Sequence, residues 1–169
     1  MSGRLNVTSY AVTGKLTVQA RSSVHDTTTR WDKVTGEVDA DPDAIEAARG
    51  NFSVDMTVFD AGDWLKNRKL RKDFELEAHP TATFSLEAVS LSKRDANAFE
   101  ATAKGTLRWR GKVVPLELAG KGTLDARRLA ATASFELDTK RLGLQAPRFF
   151  MFKVEDVVTV AVTLGGVAS

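Results

Sequence analysis

Apolar and polar residues alternate with a period of two over most of the chain, which is the pattern of β-strands with one buried face. Eight such segments occur, and in each of them every second residue is hydrophobic or small. The residues that alternate with these hydrophobic or small residues are mostly polar or charged. The eight predicted strands cover residues 16–23, 34–39, 52–58, 82–88, 99–109, 114–121, 129–137 and 158–164.

Short connections join most of these strands, which favours an up-and-down antiparallel sheet. Residues 110–112 (Arg-Gly-Lys) lie between two strands and predict a tight hairpin, because glycine tolerates a positive φ. A β-sandwich would produce the same alternation, but closure into a barrel removes the exposed strand edges that promote aggregation. The predicted fold is therefore all-β: an antiparallel, eight-stranded, lipocalin-like barrel that occupies residues 1–169 as one domain.

Two segments depart from the alternation. Residues 63–74 predict one short helix on a connection, capped at its start by Asp60 or Asp63. Residues 41–49 predict a short helical turn on another connection. The apolar side of the helix is expected to consist of Trp64, Leu70 and Phe74.

The predicted inward face is apolar, but many of its residues are small. Unfilled space in a core is costly, since a Leu-to-Ala vacancy destabilises a protein by roughly 2–5 kcal/mol. A hollow barrel that holds one small ligand would explain the small residues. A closed interior, in which small residues pack against large ones, would explain them as well. The small inward residues are Ala20, Gly36, Ala101, Ala103, Gly105, Gly120, Gly122, Ala131 and Ala133.

Composition narrows the range of functions. The chain has 169 residues, no cysteine, two histidines and a formal net charge of +2 at pH 7. This charge is too small to favour nucleic acid as a partner, and the lack of cysteine excludes thiolate metal sites. We expect no metal site and no cofactor. The first residues lack the apolar core of a signal peptide, so the expected location is cytoplasmic, or periplasmic if a leader was removed.

Candidate catalytic residues are few. His25 lies beside Asp26 at a strand end and could act as a general base, whereas His79 before Pro80 suits a surface or capping role. None of the common nucleophile, phosphate-binding or zinc-binding motifs occurs. We therefore expect that the protein is not an enzyme and assign no catalytic residue. A lipid-modifying enzyme with His25 as its base is the least favoured alternative.

Two clusters outside the alternation allow two interpretations each. Residues 148–152 form a dense apolar patch that either plugs one end of the barrel or lines a ligand entrance. The helix carries five cations, which form either a solvated face or a collar that attracts an anionic headgroup or a membrane surface. These cations are Lys66, Arg68, Lys69, Arg71 and Lys72.

Three segments resemble motifs of the YceI-like proteins. Residues 105–116 are similar to that family's glycine-flanked hairpin, and residues 138–143 with 146–148 look like its C-terminal motif. The resemblance spans residues 16–164 and implies an extended lipocalin-like barrel that binds long isoprenoid or other lipid-like chains. Many relatives are periplasmic. The third segment matches the family pattern L-x3-F-x5-P-x3-F at Leu70, Phe74, Pro80 and Phe84.

Two segments depart from the family pattern. Residues 66–70 are Lys-Asn-Arg-Lys-Leu where the family often has Arg-Asp-x-His-Leu, and residues 141–143 are Arg-Leu-Gly where it has Asp-Phe-Gly. The resemblance therefore implies an apolar lumen, but no polar contacts to a ligand headgroup at these positions.

We expect the protein to carry or sequester a long apolar molecule, isoprenoid or fatty-acid-like, in the barrel lumen. The alternative is a filled barrel that acts as a protein-interaction module. The cationic helix is compatible with transient contact to a membrane surface, and the sequence does not define an oligomeric state. The residues expected to contact the ligand are Phe52, Val54, Met56, Phe84, Leu86, Ala101, Ala103, Leu107, Trp109, Leu118, Ala131, Ala133, Phe135, Phe149 and Phe150.

Overall fold

Eight long antiparallel strands close into a barrel, as the alternation predicts. The computed structural model describes residues 6–22, 26–144 and 155–169, and the backbone of residues 148–149 and 152–153. Each strand pairs with the next along the chain, and the last pairs with the first. The strands are β1 (Thr8–Ala20), β2 (Thr27–Asp41), β3 (Ala44–Asp55), β4 (Thr81–Asp95), β5 (Ala98–Trp109), β6 (Lys112–Leu124), β7 (Arg128–Asp138) and β8 (Val157–Ala168).

The connections give the barrel two different ends. At the hairpin end, three tight turns join β2 to β3, β4 to β5 and β6 to β7. At the helix end, residues 56–80 carry α1 (Trp64–Asp73), and residues 139–156 carry the 3-10 turn Thr139–Leu142. Two-residue strands add to the helix end: Phe59–Asp60 pairs with β2, and Arg148–Phe149 pairs with Phe152–Lys153.

The predicted helix is confirmed, with Asp63 as its N-cap. The Asp63 carboxylate accepts a hydrogen bond from the Lys66 N–H at 2.8 Å, which satisfies one free donor of the first turn. Leu70 packs into the core, but Trp64 is 72% exposed, so its assignment to the packed side of the helix is wrong. Within the described residues, no helix is both long enough and apolar enough to span a membrane.

The helical turn predicted for residues 41–49 is wrong, because this segment is a hairpin and the first half of β3. The Asp41 carboxylate accepts a hydrogen bond from the Asp43 N–H at 2.9 Å and thereby stabilises the turn. The pairing of β2 with β3 contains a register shift, so that buried Ile45 and Ala48 lie three residues apart. That spacing imitates a helical period.

The first strand begins at Thr8, well before the predicted start at residue 16. Its early half is fully packed, since Tyr10 and Val12 are 0% and 2% exposed. Gly14 interrupts the apolar pattern because β8 passes close to it, and a Cβ there would overlap the Thr163 carbonyl oxygen. Because Gly14 interrupts the apolar alternation, the sequence pattern does not predict this half of the strand.

The hairpin between β5 and β6, which lies at the helix end, is confirmed as a two-residue turn. Arg110 and Gly111 both have positive φ, 56° and 72°, as a type I′ turn requires. The Arg110 guanidinium donates hydrogen bonds to the carbonyl oxygens of Phe74 at 2.5 Å and Leu142 at 3.3 Å. This one side chain thereby ties the hairpin to the end of α1 and to the 3-10 turn.

Candidate functional site

An apolar cavity of about 250 Å³ lies inside the barrel. It is found where two clusters of buried side chains meet, one at each end of the barrel. Trp31, Leu70 and Trp109 belong to the cluster at the helix end, and Tyr10 and Leu124 belong to the cluster at the hairpin end. The lumen is thus packed at both ends and open in its middle.

The structure places eleven of the predicted ligand contacts on the wall of this cavity. They come from the five neighbouring strands β3 to β7, because alternate residues of each strand point inward. That these side chains contact a ligand remains a prediction. The eleven residues are Phe52, Val54, Phe84, Leu86, Ala101, Ala103, Leu107, Leu118, Ala131, Ala133 and Phe135.

Met56 and Trp109 are buried, but in the cluster at the helix end and away from the cavity wall. β3 ends at Asp55, so Met56 already belongs to the following loop, where its N–H donates to the Pro80 carbonyl at 2.7 Å. The Trp109 ring packs edge-on against Phe74, with 6.3 Å between ring centroids. Both side chains help to close the helix end.

Three residues singled out from the sequence lie outside the described part. Phe150 and His25 are not described, and of Phe149 only the backbone is described, paired with Phe152. The role of residues 148–152 as a plug or an entrance therefore stays a prediction. His79 is half-buried at the helix end, where its carbonyl oxygen accepts a hydrogen bond from the Trp109 indole N–H at 2.9 Å.

Some wall residues were missed for a structural reason. The pairing of β4 with β5 shifts between Leu86 and Ala88, and such a bulge exchanges the inward and outward faces of a strand. Val89 consequently lines the cavity and Ala88 is exposed, opposite to the alternation. Ile45 and Ala48 were missed with the wrongly assigned turn. Other wall residues continue the alternation and could have been included: Val34, Val38, Phe99, Leu116, Leu129, Val160, Val162 and Leu164.

Two of the inward glycines, Gly36 and Gly105, are small for a reason other than the cavity. A Cβ at Gly36 would lie 2.6 Å from both the Asn51 carbonyl oxygen and the Phe52 ring. At Gly105 it would overlap the carbonyl of Ser85 and the ring of Phe84. These glycines let neighbouring strands approach closely. The space in the lumen is therefore bordered by alanines and Gly120, and not by these two glycines.

The cavity offers almost no polar group to a ligand. Its polar lining residues are Lys121 and Thr132, and both are exposed residues of the outer face. Small residues, Gly120, Ala131 and Ala133, form the wall beside them. Binding pockets fix the orientation of a ligand through inward polar groups, so this lining could select a ligand only by shape and apolar contact.

The carboxyl groups with a lowered pKa lie at strand ends and in a turn, and not on the cavity wall. Backbone N–H donors lower the pKa of Asp60 and Asp125, and the Thr57 hydroxyl and N–H lower the pKa of Asp55. In the described residues, no three potential metal ligands lie together. The chemistry of the cavity is therefore that of its apolar side chains.

The barrel is similar to solved structures of low sequence identity. BcnA of Burkholderia cenocepacia is 19% identical, with a TM-score of 0.75, over 90% of this chain and 95% of that chain. A polyisoprenoid binding domain from Saccharophagus degradans, implicated in plant cell wall breakdown, is 15% identical, with a TM-score of 0.72, over 98% and 100%. The YCEI protein of Campylobacter jejuni is 12% identical, with a TM-score of 0.66, over 83% and 84%. These likenesses show a shared fold.

The family assignment comes from the sequence. A search of curated proteins finds no match to this chain. The family model of the YceI-like domain, however, matches residues 5–165, which include seven complete strands, α1 and most of β8. The three segments that resemble YceI-like motifs all lie inside this range. The chain therefore belongs to the YceI-like family.

Proposed function

We propose that this protein binds a long apolar molecule, holds a segment of it in the barrel cavity, and carries or sequesters it without catalysing a reaction. The observation on which the proposal rests is the apolar cavity of about 250 Å³. The Saccharophagus degradans domain of the same fold is described as polyisoprenoid binding. That description and the membership of the YceI-like family support an isoprenoid-like ligand.

The energetic cost of an empty cavity supports a functional role for it. At about 24 cal/mol per Å³, the coefficient measured for cavities in protein cores, a void of about 250 Å³ costs on the order of 6 kcal/mol. The whole stability of a domain is roughly 5–15 kcal/mol. A space of this size is unfavourable for folding alone, whereas an apolar ligand that fills it would recover part of the cost.

The volume of the cavity limits how much of a ligand it holds. An engineered apolar cavity of about 150 Å³ binds benzene, and pockets for drug-sized ligands occupy roughly 300–1,000 Å³. A cavity of about 250 Å³ therefore takes only a short segment of a long chain. The remainder of such a ligand lies outside the cavity, or the wall moves to admit it.

The test fills the cavity from the alanine wall. Ala133 points into the cavity from β7, so Ala133→Phe places a ring in the space that the ligand would occupy. Ala161 on β8 pairs with Ser134 and is exposed, so Ala161→Phe adds the same bulk outside the barrel. Binding of a fluorescent long-chain isoprenoid or fatty acid is titrated for all three proteins. Circular dichroism and thermal unfolding check that the variants are folded.

The wild type and Ala161→Phe should bind the probe with equal affinity. Ala133→Phe should bind it at least about tenfold more weakly, because the added ring displaces part of the ligand and the apolar burial of that part is lost. Native mass spectrometry of the purified wild type should also detect a retained apolar molecule. A wild type that takes up no probe would contradict the proposal and favour the filled barrel as an interaction module. Equal binding by Ala133→Phe would place the probe outside this cavity and contradict it as well.

A further inference from the structure

The outward face of α1 carries large apolar side chains among cations. Trp64 and Leu65 are 72% and 52% exposed, while Leu70 on the opposite side is packed into the barrel. Residues four apart are neighbours on a helix surface, so Trp64, Arg68 and Lys72 form one row. Leu65 and Lys69 form the row beside it. We call these five residues the α1 outer face.

The positive charge of the α1 outer face is only partly neutralised within the described residues. Lys69 forms an ion pair with Asp73, at 2.8 Å between Nζ and Oδ2. Arg68 and Lys72 make no ion pair in this part of the chain. Asp63, which precedes the helix, caps the Lys66 N–H. The face therefore presents two unpaired cations beside an exposed tryptophan and leucine.

Exposed apolar side chains also concentrate at the end of the barrel that carries α1. The large hydrophobic residues that are exposed in the described residues number seven, and only Val7 and Val167 lie at the hairpin end. The other five lie at the helix end, the same end of the barrel as the α1 outer face. The five at the helix end are Val58, Trp64, Leu65, Val113 and Val157.

The mixture of residue types distinguishes a lipid surface from a protein partner. The centre of a protein–protein interface is depleted in lysine, but two of the three cations of the α1 outer face are lysines, Lys69 and Lys72. Tryptophan, leucine and cations together are typical of helices that lie in the interfacial layer of a bilayer, where cations contact anionic headgroups and apolar side chains enter the acyl boundary. We propose that the α1 outer face docks the barrel onto anionic lipid membranes.

This proposal is independent of the cavity, because docking needs only the outer surface of α1. It predicts binding to vesicles of phosphatidylcholine and phosphatidylglycerol in equal parts, and none to vesicles of phosphatidylcholine alone. Each cation near an anionic surface contributes about fivefold to the affinity. Arg68→Gln combined with Lys72→Gln should therefore weaken binding about 25-fold, and added salt should weaken binding of the wild type.

Intrinsic fluorescence makes the test specific to this face. The chain has three tryptophans, and Trp31 and Trp109 are buried, so a change on vesicle addition reports Trp64. The wild-type emission should shift to the blue and become protected from acrylamide when anionic vesicles are added. In cosedimentation, Trp64→Ser combined with Leu65→Ser should bind about tenfold or more weakly, because their apolar area no longer leaves water.

Matched controls change the same residue types elsewhere. Lys93→Gln with Lys104→Gln removes two exposed cations from the barrel wall, and Val167→Ser removes an exposed apolar side chain from the hairpin end. Both controls should bind anionic vesicles as the wild type does. The proposal is overturned if the wild type does not bind anionic vesicles, if it binds both vesicle types equally, or if the α1 variants bind no more weakly than the controls.

Discussion

Tyr10 combines full burial with a titratable hydroxyl. It is fully buried at the hairpin end, and its hydroxyl donates to the Asp125 carbonyl at 2.5 Å. Burial raises the pKa of Tyr10, and the nearby carboxylates of Asp125 and Asp41 raise it further, against a lowering by the Thr8 hydroxyl. The hydroxyl thereby links the first strand to the turn between β6 and β7.

The chain contains one tyrosine, so its titration can be followed without interference from another. We predict that tyrosinate absorbance of the folded protein rises at a higher pH than in denaturant, where the pKa returns to about 10. Because the folded-state pKa is raised, the stability linked to Tyr10 is full below about pH 10 and is lost as the pH rises through the folded-state value. A tyrosinate transition at the same pH in both states would contradict the buried placement. Tyr10→Phe is the control, since it has no tyrosine to titrate, and it should lose less stability on the same rise in pH.

Glycines of the barrel strands have different surroundings. Gly105 in β5 lies under the Phe84 ring and against the Ser85 carbonyl of β4, and the ring covers the position where a side chain would be. Gly165 in β8 is different, since nothing lies within 4 Å of its missing Cβ. Close packing of the strands thus leaves no room for a side chain at Gly105, whereas there is open space for one at Gly165.

This contrast gives a matched pair of variants. Gly105→Ala should destabilise the barrel by about 1–3 kcal/mol, because the methyl group overlaps a backbone oxygen that cannot move without the strand. Gly165→Ala should change stability by about 0.5 kcal/mol or less. Both substitutions also lower the conformational entropy of the unfolded chain, because each replaces a glycine, so this contribution to stability is the same in the two variants. Urea unfolding with an unchanged m-value measures the difference, and equal stability of the two variants would refute the close approach at Gly105.

The ladder between β6 and β7 forms a weak seam of the barrel. The pairing of β6 with β7 covers Ala119–Leu124 against Leu129–Ser134, and within the described residues it does not continue toward the helix end. Continued in the same register, the ladder would set Glu117 opposite Glu136, and like charges in that position are unfavourable. Pro115 of β6 also lacks a backbone N–H to donate. Charge and backbone chemistry together explain why the strands separate there.

We expect amide exchange to reveal this seam. Residues 112–118 of β6 should exchange faster than residues 99–105 of β5, which are paired on both sides. Glu136→Lys places an opposite charge across from Glu117, so it should slow exchange in residues 112–118 and stabilise the barrel by about 0.2–1 kcal/mol. Glu136→Gln, which removes only the repulsion, should have a smaller effect. Equal protection of the two segments in the wild type would argue for a continuous ladder.

The local pattern was sufficient for much of the fold. Period-two alternation located the eight strands, the Asp63 cap and the Leu70–Phe74 spacing located α1, and Gly111 located a hairpin. These features depend on residues close together in sequence, where backbone preference and one-sided burial act directly. The same alternation identified most of the cavity wall, because it records which side of each strand faces inward.

Features that depend on how strands meet were decided by the tertiary structure. The bulge near Leu86 turned Val89 inward, and a register shift gave the hairpin at residues 41–49 a helical spacing. The sequence left a hollow and a closed interior equally open, since it shows how many small residues point inward but not what faces them. In the folded barrel, aromatic rings cover Gly36 and Gly105, while Ala103 and Ala133 border open space. Alternation along one strand determines the face of a residue, whereas its neighbour across the lumen is determined only by closure of the barrel.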